Sequence, residues 1–89
     1  MRDFSDELSD LARRVAEARG YLQIGVAEAR VLVLYEDASR PDLWDDPDAA
    51  RRVTTELAQT RDDINLVERL EGVVSDLETL AELAREEGD

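Results

Sequence analysis

The chain has 89 residues, with 11 basic and 23 acidic side chains, so its formal net charge is −12. Every basic residue is Arg, and the sequence contains no Lys, His or Cys. These absences exclude a disulfide, an ordinary zinc site, a Ser–His catalytic pair and a Schiff-base lysine. The negative charge also opposes binding to nucleic acid phosphate or anionic lipid, unless the Arg residues cluster tightly.

The length fits a single domain, residues 1–89, with a thin core. No apolar run approaches the roughly 20 residues needed to cross a bilayer, and the N-terminus lacks the apolar stretch of a signal peptide. We therefore expect a cytoplasmic, soluble, helical protein that is not an enzyme and carries no cofactor, no metal and no membrane segment.

The first element is predicted by apolar residues that recur in steps of four and three between Phe4 and Leu22. This spacing is typical of a helix that packs along another helix. Either Asp3 or Ser5 is expected to cap its start, and Gly20 is expected to stop it.

The second segment runs from about Ile24 to Ser39 and carries more apolar residues than one helix face requires. Residues 31–35 also fit a buried strand, but we predict a helix, because no second strand exists to pair with this one. The surplus apolar side chains belong either to a wide core contact or to a docking surface for a partner. They are Val26, Leu32, Val33 and Tyr35.

A corner rich in Pro and Asp follows at residues 39–47. Pro41 is expected to end the preceding helix, and Asp46 with Pro47 is expected to cap and begin the next. Leu43 and Trp44 are apolar residues in this acidic stretch, and we expect both to plug the end of the core.

Heptad spacing then continues from Ala50 to Val67 and again from Leu70 to Ala84, with Gly72 between the two stretches. The two stretches form either one continuous helix or two helices with a kink between them. The predicted fold is all-α, an antiparallel three-helix bundle with coiled-coil packing. Its predicted core is Leu8, Leu11, Val15, Leu22, Val31, Leu34, Trp44, Val53, Leu57, Ile64, Val67, Leu77 and Leu80.

Acidic clusters do not predict a catalytic or metal site. The Asp residues at 42–48 lack the central Gly and spacing of a calcium loop. Carboxylate pairs such as Asp62 and Asp63 are expected to be solvated charges. We therefore predict no catalytic, cofactor-binding or metal-ligating residue, and the sequence alone identifies no partner-binding residue.

The Arg residues are interleaved with acids. Asp10 and Glu17 are spaced to form intrahelical ion pairs with the adjacent Arg13 and Arg14. A basic patch of long reach is not expected, although adjacent pairs such as Arg51 and Arg52 occur; a local contact between an Arg and RNA stays open, with no Arg identified for it.

Three stretches together resemble a known family. They are Arg19-Gly20-Tyr21-Leu22, the corner from Arg40 to Ala50 with its Pro-x-x-Trp-x-x-Pro pattern, and the acidic close from Leu77 to Asp89. They are similar to the N-terminal domain of the bacterial peptide chain release factor 2 family. The segment between Gln23 and Tyr35 departs from the family by being less polar, which leaves the course of the second helix open.

The resemblance implies a piece of a translation-termination factor. Whole members recognise the stop codons UAA and UGA and carry Gly-Gly-Gln and Ser-Pro-Phe motifs; neither motif occurs in these 89 residues. The family also continues with another long helix, so the resemblance implies a fragment that lacks the codon-reading and Gly-Gly-Gln domains.

The resemblance implies an interaction domain that contacts the stalk base of the large ribosomal subunit or the GTPase release factor, without sequence-specific nucleic acid binding of its own. One alternative is a stand-alone acidic coiled-coil scaffold that self-associates as a homodimer. A weaker alternative is a small carboxylate hydrolase.

Overall fold

The computed structural model describes residues 3–88, and within them all regular structure is helical. The helices are α1 (Ser5–Tyr21), α2 (Ile24–Ala38) and α3 (Pro47–Gly88), with a 3₁₀ helix at Pro41–Asp45. The predicted all-α fold of packed helices is confirmed, and so is the helical rather than strand conformation of residues 31–35. The question left open at Gly72 is settled as well, because α3 runs through it without interruption.

The chain forms two compact units. The described part of unit 1 combines residues 3–21 with residues 66–88, and unit 2 consists of residues 22–65. Unit 1 thus holds α1 and the second part of α3, whereas unit 2 holds α2, the 3₁₀ helix and the first part of α3.

In unit 1, α1 and α3 run antiparallel. Arg19, near the end of α1, is 3.1 Å from the carboxylate of Glu71, while Phe4, just before α1, lines a groove together with Leu80. The buried side chains between them are Val15, Val67 and Val74. This core is small and aliphatic, as expected for a chain of this length.

In unit 2 the buried core includes residues of α2, the 3₁₀ helix and α3. Its buried residues are Ile24, Leu34, Leu43, Ala50 and Ile64. The expectation that Leu43 plugs the end of the core is confirmed. Trp44 is not buried, since 58% of its surface is exposed. Its indole Nε1 instead donates a hydrogen bond to the carbonyl of Ala38 at 3.2 Å, which holds the ring against the end of α2.

The predicted core is therefore only partly right. Val15, Leu34, Ile64 and Val67 are buried, and another group is half-buried: Leu8, Val31, Val53 and Leu57. The prediction is wrong for a further group, which is exposed: Leu11, Leu22, Trp44, Leu77 and Leu80. Heptad spacing identifies a side of a helix that is apolar, but it does not say whether another element covers that side.

Both predicted helix starts have side-chain caps. Asp3, rather than Ser5, caps α1, because its Oδ1 accepts the backbone N–H of Ser5 at 2.8 Å. At α3, Oδ1 of Asp46 accepts the backbone N–H of Ala49 at 3.2 Å, and Pro47 occupies the first helical position. Each cap satisfies a backbone donor that has no partner within the helix.

The break between α1 and α2 lies at Gln23. Helix α1 passes through Gly20, the expected stop, and ends one residue later. Gln23 has φ 53° and ψ 50°, which is the left-handed conformation that favours glycine. A side chain with a Cβ costs roughly 1–2 kcal/mol there, so this position carries local strain.

Replacing Gln23 by glycine is expected to raise the free energy of unfolding by about 0.5–1 kcal/mol, because relief of this strain exceeds the added entropy of the unfolded chain. Chemical denaturation followed by circular dichroism measures the change. The control is Gln23→Ala, which keeps a Cβ and is expected to give no gain. Equal stability of the glycine and alanine variants would contradict the assignment of strain to this residue.

Candidate interaction surfaces

The acidic residues considered in the sequence do not form an enclosed site. Asp45, Asp46, Asp62 and Asp63 are all exposed. Within residues 3–88, no cluster of three or more carboxylates is arranged to hold a metal ion.

Ion pairs order several of the Arg side chains. Arg13 lies 2.9 Å from Glu17 and also pairs with Asp10, which confirms the predicted intrahelical pairs for Arg13. A pair between helices was not predicted: Arg30 on α2 binds both carboxylate oxygens of Glu56 on α3, at 2.6 and 3.0 Å. Sequence spacing gave no signal for this pair, since it depends on how α2 and α3 align.

The hydrogen bond from Arg30 holds the pKa of the Glu56 carboxyl below its ordinary value. Because the pKa is lowered in the folded protein, the stabilisation is fully present above the pKa of the unfolded chain and is lost as the pH falls through the folded value. Nearly half of each side chain is exposed to solvent, which screens the charges, so the contribution to stability is small.

We expect Arg30→Gln to move the titration midpoint of Glu56 upward, toward the value of a free glutamate. NMR of the side-chain carboxyl against pH measures this midpoint. The matched control is Arg40→Gln, which removes an Arg paired with Asp37 instead. If both variants shift Glu56 equally, the effect comes from net charge and not from the contact.

Arg51 and Arg52 form a basic spot on α3 in unit 2. Both are exposed, and neither makes an ion pair within residues 3–88. With Thr55, Glu56 and Gln59 they line a shallow depression of about 420 Å³. Glu56 is the acid that lines this depression, and it is bound by a third Arg, Arg30.

An apolar surface on α2, here called the α2 face, consists of Val26, Leu32 and Val33. Their exposed fractions are 65%, 72% and 46%. Tyr35 is also exposed, and the guanidinium carbon of Arg61 lies 5.7 Å from the centre of its ring. The interpretation of these residues as a wide core contact is therefore wrong, and the docking interpretation stays open.

A second apolar surface lies on α3 in unit 1 and is called here the α3 stripe. Its members, each 39–61% exposed, are Leu66, Leu70, Val73, Leu77 and Leu80. Beside it, Phe4, Leu8 and Leu11 from the N-terminal side complete an apolar groove of about 400 Å³. The sequence showed the leucine spacing, but it did not show that this side of α3 is uncovered.

Several relatives of the chain carry the same name. The chain is 37% identical over 87 residues to a peptide chain release factor 2 from Streptomyces avermitilis, and this match covers 98% of the chain. It is 40% identical over 85 residues, 96% of the chain, to the protein of that name from Beutenbergia cavernae. The chain resembles the N-terminal domain of peptide chain release factor 2. The resemblance predicted from the three sequence stretches is thus confirmed.

The match is confined to part of the relatives. The chain spans 24% of the Streptomyces release factor 2 and 23% of the Beutenbergia one. No family model and no solved structure matches the chain. No helix within residues 3–88 is both long and apolar enough to cross a membrane.

Proposed function

We propose that the chain is a non-catalytic interaction domain of a cytoplasmic factor that acts in translation termination at UAA and UGA codons, as the resemblance to release factor 2 implies. The observation that supports this most is the alignment over 98% of the chain with a release factor 2. A local likeness between leucine-rich helices would not extend through the corner around Trp44. The exposed acids, which lie outside any enclosed site, agree with a binding role rather than catalysis.

The proposed partners are the stalk base of the large ribosomal subunit and the GTPase release factor. For the ribosomal contact we propose Arg51 and Arg52, because their guanidinium groups are exposed and unpaired within residues 3–88. Arg binds phosphate through paired N–H donors. Such contacts position a protein on nucleic acid without reading its sequence.

Sedimentation of the labelled chain with ribosomes tests this function. The chain is expected to pellet with intact large subunits, to pellet less with subunits stripped of the stalk-base protein, and to be displaced by an unlabelled release factor 2. Failure to pellet at micromolar concentration would overturn the proposal. Sequencing of the native transcript tests the wider role, with Gly-Gly-Gln and Ser-Pro-Phe codons expected downstream in the same frame.

A second candidate is a scaffold that self-associates, and the α2 face favours it. Val26, Leu32 and Val33 expose apolar surface on a helix with few charges, so a second copy would meet little repulsion there. A homodimer in analytical ultracentrifugation that Leu32→Asp dissociates would support it. A monomer at micromolar concentration would reject it.

A further inference from the structure

We propose that the α2 faces of two copies of this chain pair antiparallel about a two-fold axis at Ala29 and form a closed, reversible homodimer. The proposal rests on the second candidate function, self-association, and deepens it by naming which residues of the two copies meet. It does not depend on the ribosomal contact at Arg51 and Arg52. The α2 face lies in unit 2, whereas the last described residues lie in unit 1, so a longer native chain would continue from the other unit.

The α2 face points away from the side by which α2 is held in unit 2. Successive residues of an α-helix are turned by about 100°, so the three members of the face lie within about 60° of the direction in which Ala29 points. The buried residues Ile24 and Leu34 lie on the opposite side of the helix. The exposed apolar side chains therefore form one strip along α2.

The strip also contains two small residues, Gly25 and Ala29, which are exposed and lie one turn apart. A Cβ built on Gly25 would meet nothing within 4 Å outside its own helix backbone and its chain neighbours. This position is therefore an open notch in the strip. Large and small side chains in alternation are what two closely packed helices require of each other.

An antiparallel pair of α2 helices fits large side chains to the notches. With the two-fold axis at Ala29, Leu32 of one copy comes within about one residue of the height of Gly25 of the partner subunit, on the same side of the contact. Val33 stands in the same relation to Val26 of the partner subunit. Each contact occurs twice, as in any isologous interface. A parallel pair would instead set the two Gly25 notches at one height and leave them unfilled.

The charges beside the strip set how strongly two copies pair. The α2 face itself is uncharged, so it selects neither a basic nor an acidic partner. Arg30 is bound by Glu56 of its own chain, and the two copies of Glu36 fall at opposite ends of the pair. The two copies of Glu28 fall on one flank, and a net charge of −12 on each chain adds repulsion.

Because the strip is small and the chains repel each other, we expect a weak dimer, with a dissociation constant of roughly 10–100 µM. Its affinity is expected to rise with salt, which screens the repulsion. Sedimentation equilibrium from about 5 to 500 µM measures both. Glu28→Gln is expected to strengthen the dimer, since it removes a like charge from the flank.

Filling the notch separates shape from general apolar association. Gly25→Leu adds apolar surface to the strip and meets open space in the single chain, yet it is expected to weaken the dimer at least tenfold. The matched control is Gly72→Leu, the same change at an exposed helical glycine of unit 1 that also faces open space. This control is not expected to weaken the dimer. Circular dichroism checks that both variants remain helical.

Single cysteines report the orientation, because the chain has none of its own. Ala29→Cys is expected to give a disulfide-linked dimer with oxidised glutathione, since the axis brings the two copies of this residue within reach of a disulfide. Val33→Cys alone is not, because its two copies would lie about 12 Å apart along the helices. A mixture of Val26→Cys and Val33→Cys chains is expected to link. Ready linkage of Val33→Cys to itself would indicate a parallel pair and contradict the proposal.

Other results would also overturn the proposal. A monomer at all concentrations up to about 500 µM would remove the pairing itself. Association of Gly25→Leu that equals or exceeds that of the unchanged chain would reduce the effect to nonspecific apolar contact, and a dimer weakened by salt would place ion pairs at the interface. A longer native chain that stays monomeric, although the 89-residue chain dimerises, would show that the rest of the protein covers the α2 face.

The same measurements keep this proposal apart from the proposed functions. A dimer that forms only well above micromolar concentration, with the expected cross-links, would support the pairing while rejecting the stand-alone scaffold. Failure of ribosome binding would count only against the role in translation termination.

Discussion

Replacing Leu34 by alanine is expected to lower the free energy of unfolding by about 2–5 kcal/mol. Leu34 is 1% exposed and is one of the largest fully buried side chains in the described part of the molecule. Its truncation removes apolar contacts and leaves a cavity in unit 2. Because small domains have little stability in reserve, a loss of this size is expected to unfold a large fraction of the protein at room temperature.

The matched control is Leu32→Ala, two residues away in the same helix. Leu32 is 72% exposed, so its truncation is expected to change the free energy of unfolding by no more than about 0.5 kcal/mol. The two substitutions share chemistry and helix, and they differ in burial. Urea denaturation followed by circular dichroism compares them. Similar losses of stability would contradict the burial of Leu34 and the exposure of the α2 face.

The double variant Arg51→Glu and Arg52→Glu is expected to weaken ribosome binding by at least about tenfold. A hydrogen bond to a charged group contributes roughly 1.5–3 kcal/mol, and each 1.4 kcal/mol corresponds to a factor of ten. The reversed charges would also repel phosphate. Sedimentation with large subunits at fixed salt measures the effect.

Net charge alone would also alter ribosome binding, so the control has to carry the same charge. Arg14→Glu with Arg85→Glu makes the identical change of −4 in unit 1, where both residues are exposed. This control variant is expected to weaken ribosome binding less than twofold, because salt screens charges that lie away from the contact. Equal losses in the two double variants would reject a specific contact at Arg51 and Arg52.

The features that the sequence predicted correctly are mainly those decided locally. Asp46 caps α3, because its carboxylate accepts a backbone N–H that has no partner within the helix. Pro47 begins α3, because the first helical position needs no backbone N–H donor. The helical periodicity of α1 likewise needs only neighbouring residues. Gln23 is the local exception. Its left-handed conformation was not predicted, because the nearby Gly20 was the residue expected to end α1.

The features that the sequence missed depend on contacts between distant residues. Leu77 and Leu80 have the spacing of core residues, yet 40% and 61% of their surfaces are exposed, because the rest of residues 3–88 covers them only in part. The pairing of Arg30 with Glu56 requires two helices to meet in one alignment, which no pattern along the chain encodes. For the same reason, the spacing alone could not show which apolar side of α2 or α3 is free to bind a partner.

The position of Trp44 allows its fluorescence to report the unfolding of unit 2. It is the sole tryptophan of the chain, its indole is tied to the end of α2, and more than half of its surface meets water. We therefore expect its emission to be red-shifted, to be quenched by acrylamide, and to report on unit 2. Circular dichroism, by contrast, averages over all helices. A tryptophan signal that melts at a different temperature from the ellipticity would reveal unfolding in separate steps.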